Sequence, residues 1–230
     1  MELNSRQKKI LEIISSTEQV KVSVLSKMLF FSEMTIRRDL EMMEKKGLLK
    51  RVHGGAVENE TDFRYPIGYR MEINKEQKRK LASLAVKYLD DGQVIFLNSS
   101  STLAYLLPHL QKYKNIRVIT NSIHLLSYLG QMHIPCVITG GIYNEIEQSV
   151  SGRQAEEFLK WINPDIAFLS CEALSEDGYV TDSDPDLAEI GKIAVQRAGK
   201  AILLMDRSKV GVICPYTICH TDQLTDVLLF

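Results

Sequence analysis

The sequence predicts an α/β chain in two parts, a small three-helix head closed by a β-hairpin and a larger body of alternating strands and helices. Three observations predict it. Apolar residues recur with helical spacing in three consecutive segments near the amino end, a Gly-Gly turn then joins two short β-prone runs, and short apolar strands alternate with amphipathic helices over the remainder. At 230 residues the chain has room for the head and for a body with its own core.

The first helix is expected from Ser5 to about Ser15 on Ile10, Leu11, Ile13 and Ile14, and the second from Ser23 to Leu29 on Val24, Leu25, Met28 and Leu29. Only Phe30 and Phe31 precede Ser32, which caps a third helix by accepting a hydrogen bond from a free amide of the first turn. Ile36, Leu40 and Met43 then form the buried stripe and leave Thr35, Arg37 and Arg38 outside. The short connection fits a helix-turn-helix whose second helix props the third in a DNA major groove. An exposed Arg binds phosphate or forks onto the O6 and N7 of guanine, and Thr meets a thymine methyl or a phosphate. An ordinary amphipathic helix with solvated charge is the alternative.

Gly47 is a natural stop for that helix. Leu48 to Val52 reads as a strand, His53-Gly54-Gly55 as a tight turn and Ala56-Val57 as the start of a returning strand, so the hairpin forms a wing. Arg51 and His53 stand at its tip, placed for sugar-phosphate backbone, unless the hairpin only closes the small core. Charge follows the same division. Residues 1 to 56 hold eleven Lys or Arg against seven Asp or Glu, and the rest holds seventeen against twenty-two. A basic head on an acidic body suits phosphate neutralisation.

Ser32 to Leu40, followed by Arg51-Val52-His53-Gly54-Gly55-Ala56, resembles the amino-terminal signature of the DeoR family of bacterial transcriptional regulators, which reads Ser-x-x-Thr-Ile-Arg-Arg-Asp-Leu and then Arg-x-His-Gly-Gly-Ala. The resemblance extends over nearly the whole chain. It implies a winged helix-turn-helix joined to a carboxy-terminal sensor for phosphorylated sugars, the body resembling ribose-phosphate isomerases and related sugar-phosphate binders.

No apolar run approaches the roughly 20 residues that cross a membrane, and none follows a basic start, so the sequence predicts a soluble, cytoplasmic protein with no membrane partner. Cys136, Cys171, Cys214 and Cys219 lack Cys-x-x-Cys spacing and read as free thiols. Cys214, Cys219 and His220 lack a fourth ligand, so no metal is expected, and no cofactor. The head is expected over residues 1–57, a linker over 58–74 and the body over 75–230. The linker shows no helical or strand period, and its Phe63 and Tyr65 offer rings to dock on either part.

Helices are expected in the body at Lys75 to Leu89, Thr102 to Leu110, Ser122 to Leu129, Val150 to Trp161 and Pro185 to Ala198. Strands are expected at Val94 to Leu97, Ile116 to Thr120, Ile134 to Thr139, Ile166 to Ser170 and Ala201 to Met205. Such alternation makes a parallel sheet covered on both faces, with ligands beyond the carboxyl ends of its strands. Asn98-Ser99-Ser100-Ser101-Thr102 leaves a strand and enters a helix there, where hydroxyls and free amides attract a phosphate, although a serine-rich helix cap reads the same way. Thr120-Asn121-Ser122 and Gly140-Gly141 end the next two strands.

The resemblance adds Gly152, the segment from Asp165 to Phe168, and Asp206-Arg207-Ser208-Lys209 to the sensor, with Lys209 as the charge for the phosphate. It also marks departures. The family's first loop reads Asp-x-Gly-Thr-Thr, whereas Asn98 and Ser100 stand here for the acid and the glycine. Gly191 replaces a basic residue common in the family, and Glu172-Ala173 a glycine-bearing turn. The expected partners are therefore double-stranded operator DNA, a phosphorylated sugar or related effector, and further copies of the chain as a dimer or tetramer. Two rival readings remain. One is an isomerase-like enzyme using Asp165, Glu172 or Asp206 as base with Lys209, and the other is a DNA-binding regulator whose body has lost its ligand.

Overall fold

In the amino-terminal part, inward apolar side chains three and four positions apart draw three helices onto one small core. The computed structural model describes residues 3–17, 19–45, 48–57 and 65–230, and the chain forms two units, residues 1–69 and 70–230. Gly47 and Phe63, and with them residues 58–64 of the expected linker, lie outside the described residues.

Helix α1 (Ser5–Ser16) starts at Asn4, whose side chain accepts from the Gln7 amide while the Gln7 side chain accepts from the Asn4 amide, satisfying two free donors reciprocally. Strand β1 (Gln19–Lys21) leads into α2 (Val22–Leu29), and α3 (Glu33–Lys45) follows. The turn between α2 and α3 is closed by left-handed Phe30 (φ 59°), and the Ser26 hydroxyl donates to the Phe31 carbonyl at 2.6 Å. Ile10, Leu25, Ile36, Leu40 and Met43 are buried together with Leu48 and Ala56 of the hairpin segment.

The hairpin itself is β2 (Lys50–Val52) and β3 (Gly55–Val57). It is part of a three-stranded antiparallel sheet in the order β1-β3-β2, with Val20 opposite Ala56. A three-residue strand is too short for alternation to announce it, which is why β1 is absent from the sequence expectation. A second departure is α4 (Ile67–Arg70), a single helical turn begun at Pro66 within the stretch expected to lack periodic structure.

The body opens with α5 (Lys75–Ala85), β4 (Val94–Leu97) and a 3-10 turn at Leu103–Leu106 that runs into α6 (Leu107–Leu110). The expected helix from Thr102 is thus split into a 3-10 turn and one α turn, and Pro108, which has no amide proton, sits at the start of the latter. Next come β5 (Arg117–Thr120), α7 (Ile123–Gln131), β6 (Cys136–Ile138), the hairpin β7 (Ile142–Asn144) with β8 (Ser149–Ser151), and α8 (Arg153–Lys160). Val150 and Ser151 are therefore strand, and the helix begins only after Gly152, whose φ of +85° no helical residue adopts. The chain ends through β9 (Ile166–Leu169), β10 (Ala173–Leu174), β11 (Tyr179–Asp182), α9 (Pro185–Arg197), β12 (Lys200–Met205), β13 (Tyr216–His220) and β14 (Asp226–Leu229).

Six strands form a parallel sheet in the order β14-β12-β9-β4-β5-β6. Strand alternation divides the core: Ile95, Leu97, Phe168 and Leu204 face one side with α5, α6 and α7, while Phe96, Ala167, Leu169 and Leu203 face the other with α8 and α9. The antiparallel trio β10-β11-β13 extends that second layer. At Gly191 of α9, an added Cβ would stand 3.0 Å from the Ile218 side chain, so the departure from a basic residue there serves close packing of α9 on β13.

Candidate nucleic-acid interface and anion site

The exposed start of α3 carries the first site. Ser32 Oγ accepts from the Thr35 amide at 3.2 Å and shares a hydrogen bond with Thr35 Oγ1 at 2.9 Å, so the two hydroxyls fix the first turn. Arg37 and Arg38 are exposed one turn on. Arg37 donates to Glu33 at 3.3 Å, and Arg38 has no ion pair among the described residues. On the hairpin, Glu44 accepts from the Arg51 amide at 2.8 Å and lies 3.9 Å from its guanidinium, while His53 is exposed beside Gly54 (φ +77°). Exposed ion pairs of this kind are worth little, so DNA phosphates can displace Glu33 and Glu44 from these arginines.

Asp39, the acid of the same octet, turns inward. It is 3 % exposed and accepts from the Arg6 guanidinium and, at 3.0 Å, from the Gln7 amide, tying α1 to α3. Arg6 in turn lies over the Phe31 ring at 4.5 Å. The sign of this in the sequence is spacing, since Asp39 falls between Ile36 and Met43 on the buried stripe.

The second site gathers at the carboxyl ends of the parallel strands. After β4, the Ser99 amide donates to Asn121 Oδ1 at 2.9 Å, Ser99 Oγ donates to the Glu147 carbonyl at 3.2 Å, and Ser100 Oγ accepts from the Thr102 amide at 3.1 Å. Ser101 Oγ accepts from Lys78 Nζ at 3.0 Å. Asn121 is fully buried and donates to the Val150 carbonyl at 3.1 Å, fastening the β5 loop to β8. After β6 come Gly140 (φ +75°) and Gly141 (φ +123°), and a Cβ on Gly141 would stand 2.4 Å from the Ser151 carbonyl oxygen. Lys209, in the turn after β12, donates to the Cys171 carbonyl at 2.8 Å.

Two of the expected ligand residues also make structural bonds, and one of them stands at the opposite rim. Asp165 precedes β9 and accepts from the Val94 amide at 2.7 Å, which puts it at the amino end of the sheet, four residues or about 13 Å from the loops. It organises the opposite rim. Asn98 is at the right end, but Nδ2 donates to the Ser170 carbonyl at 2.8 Å and Oδ1 accepts from the Ser170 amide at 3.1 Å. One Nδ2 hydrogen and one Oδ1 lone pair are engaged by the Ser170 backbone, so Asn98 shapes the loop and keeps a second donor and a second lone pair.

Three residues missing from the sequence expectation complete the site. Arg70 pairs with buried Glu147, and buried Lys78 donates to the Arg70 carbonyl as well as to Ser101. Lys78 lies on the same helix face as Leu81, Ala82 and Ala85, so a lysine in an apolar stripe is the sign that could have found it. Burial, with Lys209 and Arg70 adding to it against Asp206, pushes the Lys78 ammonium down to about 7. Burial pushes Asp182 up to about 6, helped by Glu172 and Glu147 and opposed by the Asp184 amide. It also pushes the Cys171 thiol up to about 12, leaving no thiolate nucleophile near neutral pH. Ser149 Oγ, Ser170 Oγ and Arg70 Nε are buried without a hydrogen-bond partner among the described residues. Unmet buried polar atoms, together with the lysine and serine donors of the strand-end loops, suit a hydroxylated anion.

A helix-turn-helix head with an arginine-bearing third helix, joined to an α/β body with polar loops at its strand ends, defines a DNA-binding regulator with a small-molecule domain. Residues 6–62 match the family model of the DeoR-like helix-turn-helix domain and residues 73–229 that of the DeoR C terminal sensor domain. The chain belongs to the DeoR family of helix-turn-helix transcriptional regulators. It is 34% identical to the HTH-type transcriptional regulator GlpR of Haloferax volcanii over 90% of this chain and 81% of that one. It is 32% identical to the L-fucose operon activator of Haemophilus influenzae over 90% of this chain and 84% of that one. Among solved structures it resembles eIF2B delta from Chaetomium thermophilum, with a TM-score of 0.52 and 16% identity over 74% of this chain and 66% of that one, a likeness of fold alone. No helix among the described residues is long and apolar enough to cross a membrane.

Proposed function

We propose that this regulator represses carbohydrate-metabolism genes and leaves its operator when a phosphorylated sugar or related metabolite occupies the body, acting in the cytoplasm as a homo-oligomer without enzymatic turnover. The observation that carries this reading is the presence, in one chain, of the exposed Arg37–Arg38 pair and, in the body, of Ser149 and Ser170 hydroxyls buried without a partner among the described residues, with Lys78 bonded to Ser101 and Lys209 to the Cys171 carbonyl at the strand ends. Ser32, Thr35, Arg37, Arg38, Arg51 and His53 contact the duplex, and Ser99 to Thr102, Asn121, Gly140, Gly141, Gly152 and Lys209 surround the effector. A dimer or tetramer brings two recognition helices to two half-sites. The effector must bind the DNA-incompetent arrangement better, and operator DNA must weaken effector binding by the same factor.

The test is binding of the full chain to its own upstream DNA, titrated across salt and repeated with a panel of sugar phosphates. Release of a specific, salt-sensitive complex by one phosphate supports the reading and names the effector. A specific complex indifferent to every phosphate favours the rival in which the body has lost its ligand, a reading that the engagement of Asn98 by Ser170 motivates. Isomerisation of a pentose or amino-sugar phosphate at enzymatic rates would overturn the regulator-only body.

A further inference from the structure

We infer that Lys78 is a positioning residue that takes up a proton when an anion binds the Ser99–Thr102 loop, and so makes the body select dianionic over monoanionic phosphoryl groups. The inference rests on the anion-site reading above. Its geometric basis is the position of Nζ, which donates both to Ser101 Oγ at 3.0 Å, inside the loop, and to the carbonyl of Arg70. At 4 % exposure the amine has almost no water to stabilise its charge. The charged groups facing it are Arg70 from α4, and Asp206 and Lys209 from the end of β12, with the Tyr105 phenol on the 3-10 turn packed against α5. The acids are Glu147, which is taken up by Arg70, and Asp206, whose carboxylate is already shared with Asn74 Nδ2 at 3.3 Å and with the Ser208 hydroxyl. The free site therefore holds more positive charge than it can neutralise, and Lys78, which burial brings down to about 7, is the cation that gives up its proton.

An anion at the loop reverses this. Its charge favours the ammonium, the amine binds one proton from solvent, and the Lys78 donors to Ser101 and to the Arg70 carbonyl become charge-assisted. A monoanion offers half the compensation, which is the source of the selectivity. Sign follows from linkage. Below about 7 the amine is protonated with or without anion, so affinity is flat; above it, binding must recruit a proton, and affinity falls by up to about tenfold per pH unit.

Sulfate, a dianion throughout the range, is the probe. Its affinity for the full chain is measured by thermal shift from pH 6 to 9, together with calorimetry at pH 8 in buffers of different ionisation heat. The expected result is a plateau below about pH 7, a fall above it, and uptake of close to one proton per sulfate. Lys78→Met should remove the slope, while Lys209→Met should weaken binding and move the fall in affinity to higher pH, because Lys209 helps hold the Lys78 ammonium down. If Lys78→Met does not fold, the wild-type proton count decides, and zero uptake overturns the inference. A slope that survives in Lys78→Met also overturns it while leaving the anion site intact. Absence of any response to sulfate and to the sugar-phosphate panel would sink the anion-site reading itself and this inference with it.

Discussion

Asn98 and Ser170 clasp each other across adjacent parallel strands, the amide nitrogen of Asn98 donating to the Ser170 carbonyl at 2.8 Å and its oxygen accepting from the Ser170 amide at 3.1 Å. An amide does both, whereas an ionised carboxylate has no hydrogen to donate. The aspartate found here in the family pattern would accept from the Ser170 amide but would set a carboxylate against the Ser170 carbonyl. Asn98→Asp is therefore expected to lower stability by about 1 to 3 kcal/mol, read as a shift of the urea midpoint at unchanged slope. An Asn98→Asp variant as stable as the wild type would mean that the clasp does not explain the departure.

Asp39 should matter through folding rather than through DNA. Its carboxylate holds Arg6 and Gln7 of α1 and is 3 % exposed, so Asp39→Ala leaves both donors unmet and is expected to cost roughly 2 to 3 kcal/mol. Arg6→Met should cost less, because Arg6 is partly exposed and its stem keeps packing on Phe31. Urea melts of the two variants and the double variant check the coupling; strictly additive losses would show that the pair does not act as a unit.

Arg37→Ala and Arg38→Ala are expected to weaken operator binding by about 1 to 3 kcal/mol where the arginine reads a guanine, and to lower the salt slope by about one where it meets phosphate. Arg37 must first leave Glu33, so Glu33→Gln should tighten non-specific binding slightly. Gel-shift titrations across salt separate these cases. Full affinity in both arginine variants would mean that α3 is not the reading helix.

The spacing of Ile36, Leu40 and Met43 makes the head legible in the sequence, and apolar strands of four to six residues do the same for the parallel sheet, because burial on both sides leaves continuous apolar runs. Strands β1, β7, β8, β10, β11, β13 and the sheet-edge strand β14 run two to five residues and escape a sequence reading, since so few residues show no clear period. The loops after β4, β5 and β6 are legible as small polar residues at strand ends. Which atoms remain open is not. Asn98 is engaged by Ser170, and Asp165 belongs to the amino rim because the strand starts there; Arg70, Lys78 and Glu147 reach the site through contacts distant in sequence.

Asp182 makes stability depend on pH. Burial raises its carboxyl to about 6 from an ordinary 3.8, so between these values the folded chain binds a proton that the unfolded chain has lost. The contribution is complete below about 3.8 and disappears as pH rises through about 6. Asp182→Asn, which never ionises, should flatten that part of the profile. The check is the urea midpoint at half-unit steps from pH 4.5 to 7 for both chains, and parallel profiles would assign the dependence to other carboxylates.

The wing separates two glycines with different duties. Gly54 has φ +77° with nothing within 4 Å of a built Cβ, whereas a Cβ on Gly55 would lie 2.2 Å from the Val20 carbonyl oxygen, where β3 crosses against β1. Gly54→Ala meets only the left-handed backbone penalty of about 1 kcal/mol. Gly55→Ala must push β1 away from β3, strain of the overpacking kind at roughly 1 to 3 kcal/mol, and it moves Arg51 and His53 with the hairpin. Operator affinity should therefore fall further in Gly55→Ala than in Gly54→Ala, while sulfate stabilisation of the body stays at the wild-type value in both. Equal DNA affinities in the two variants would mean that docking of the hairpin on β1 does not position the wing.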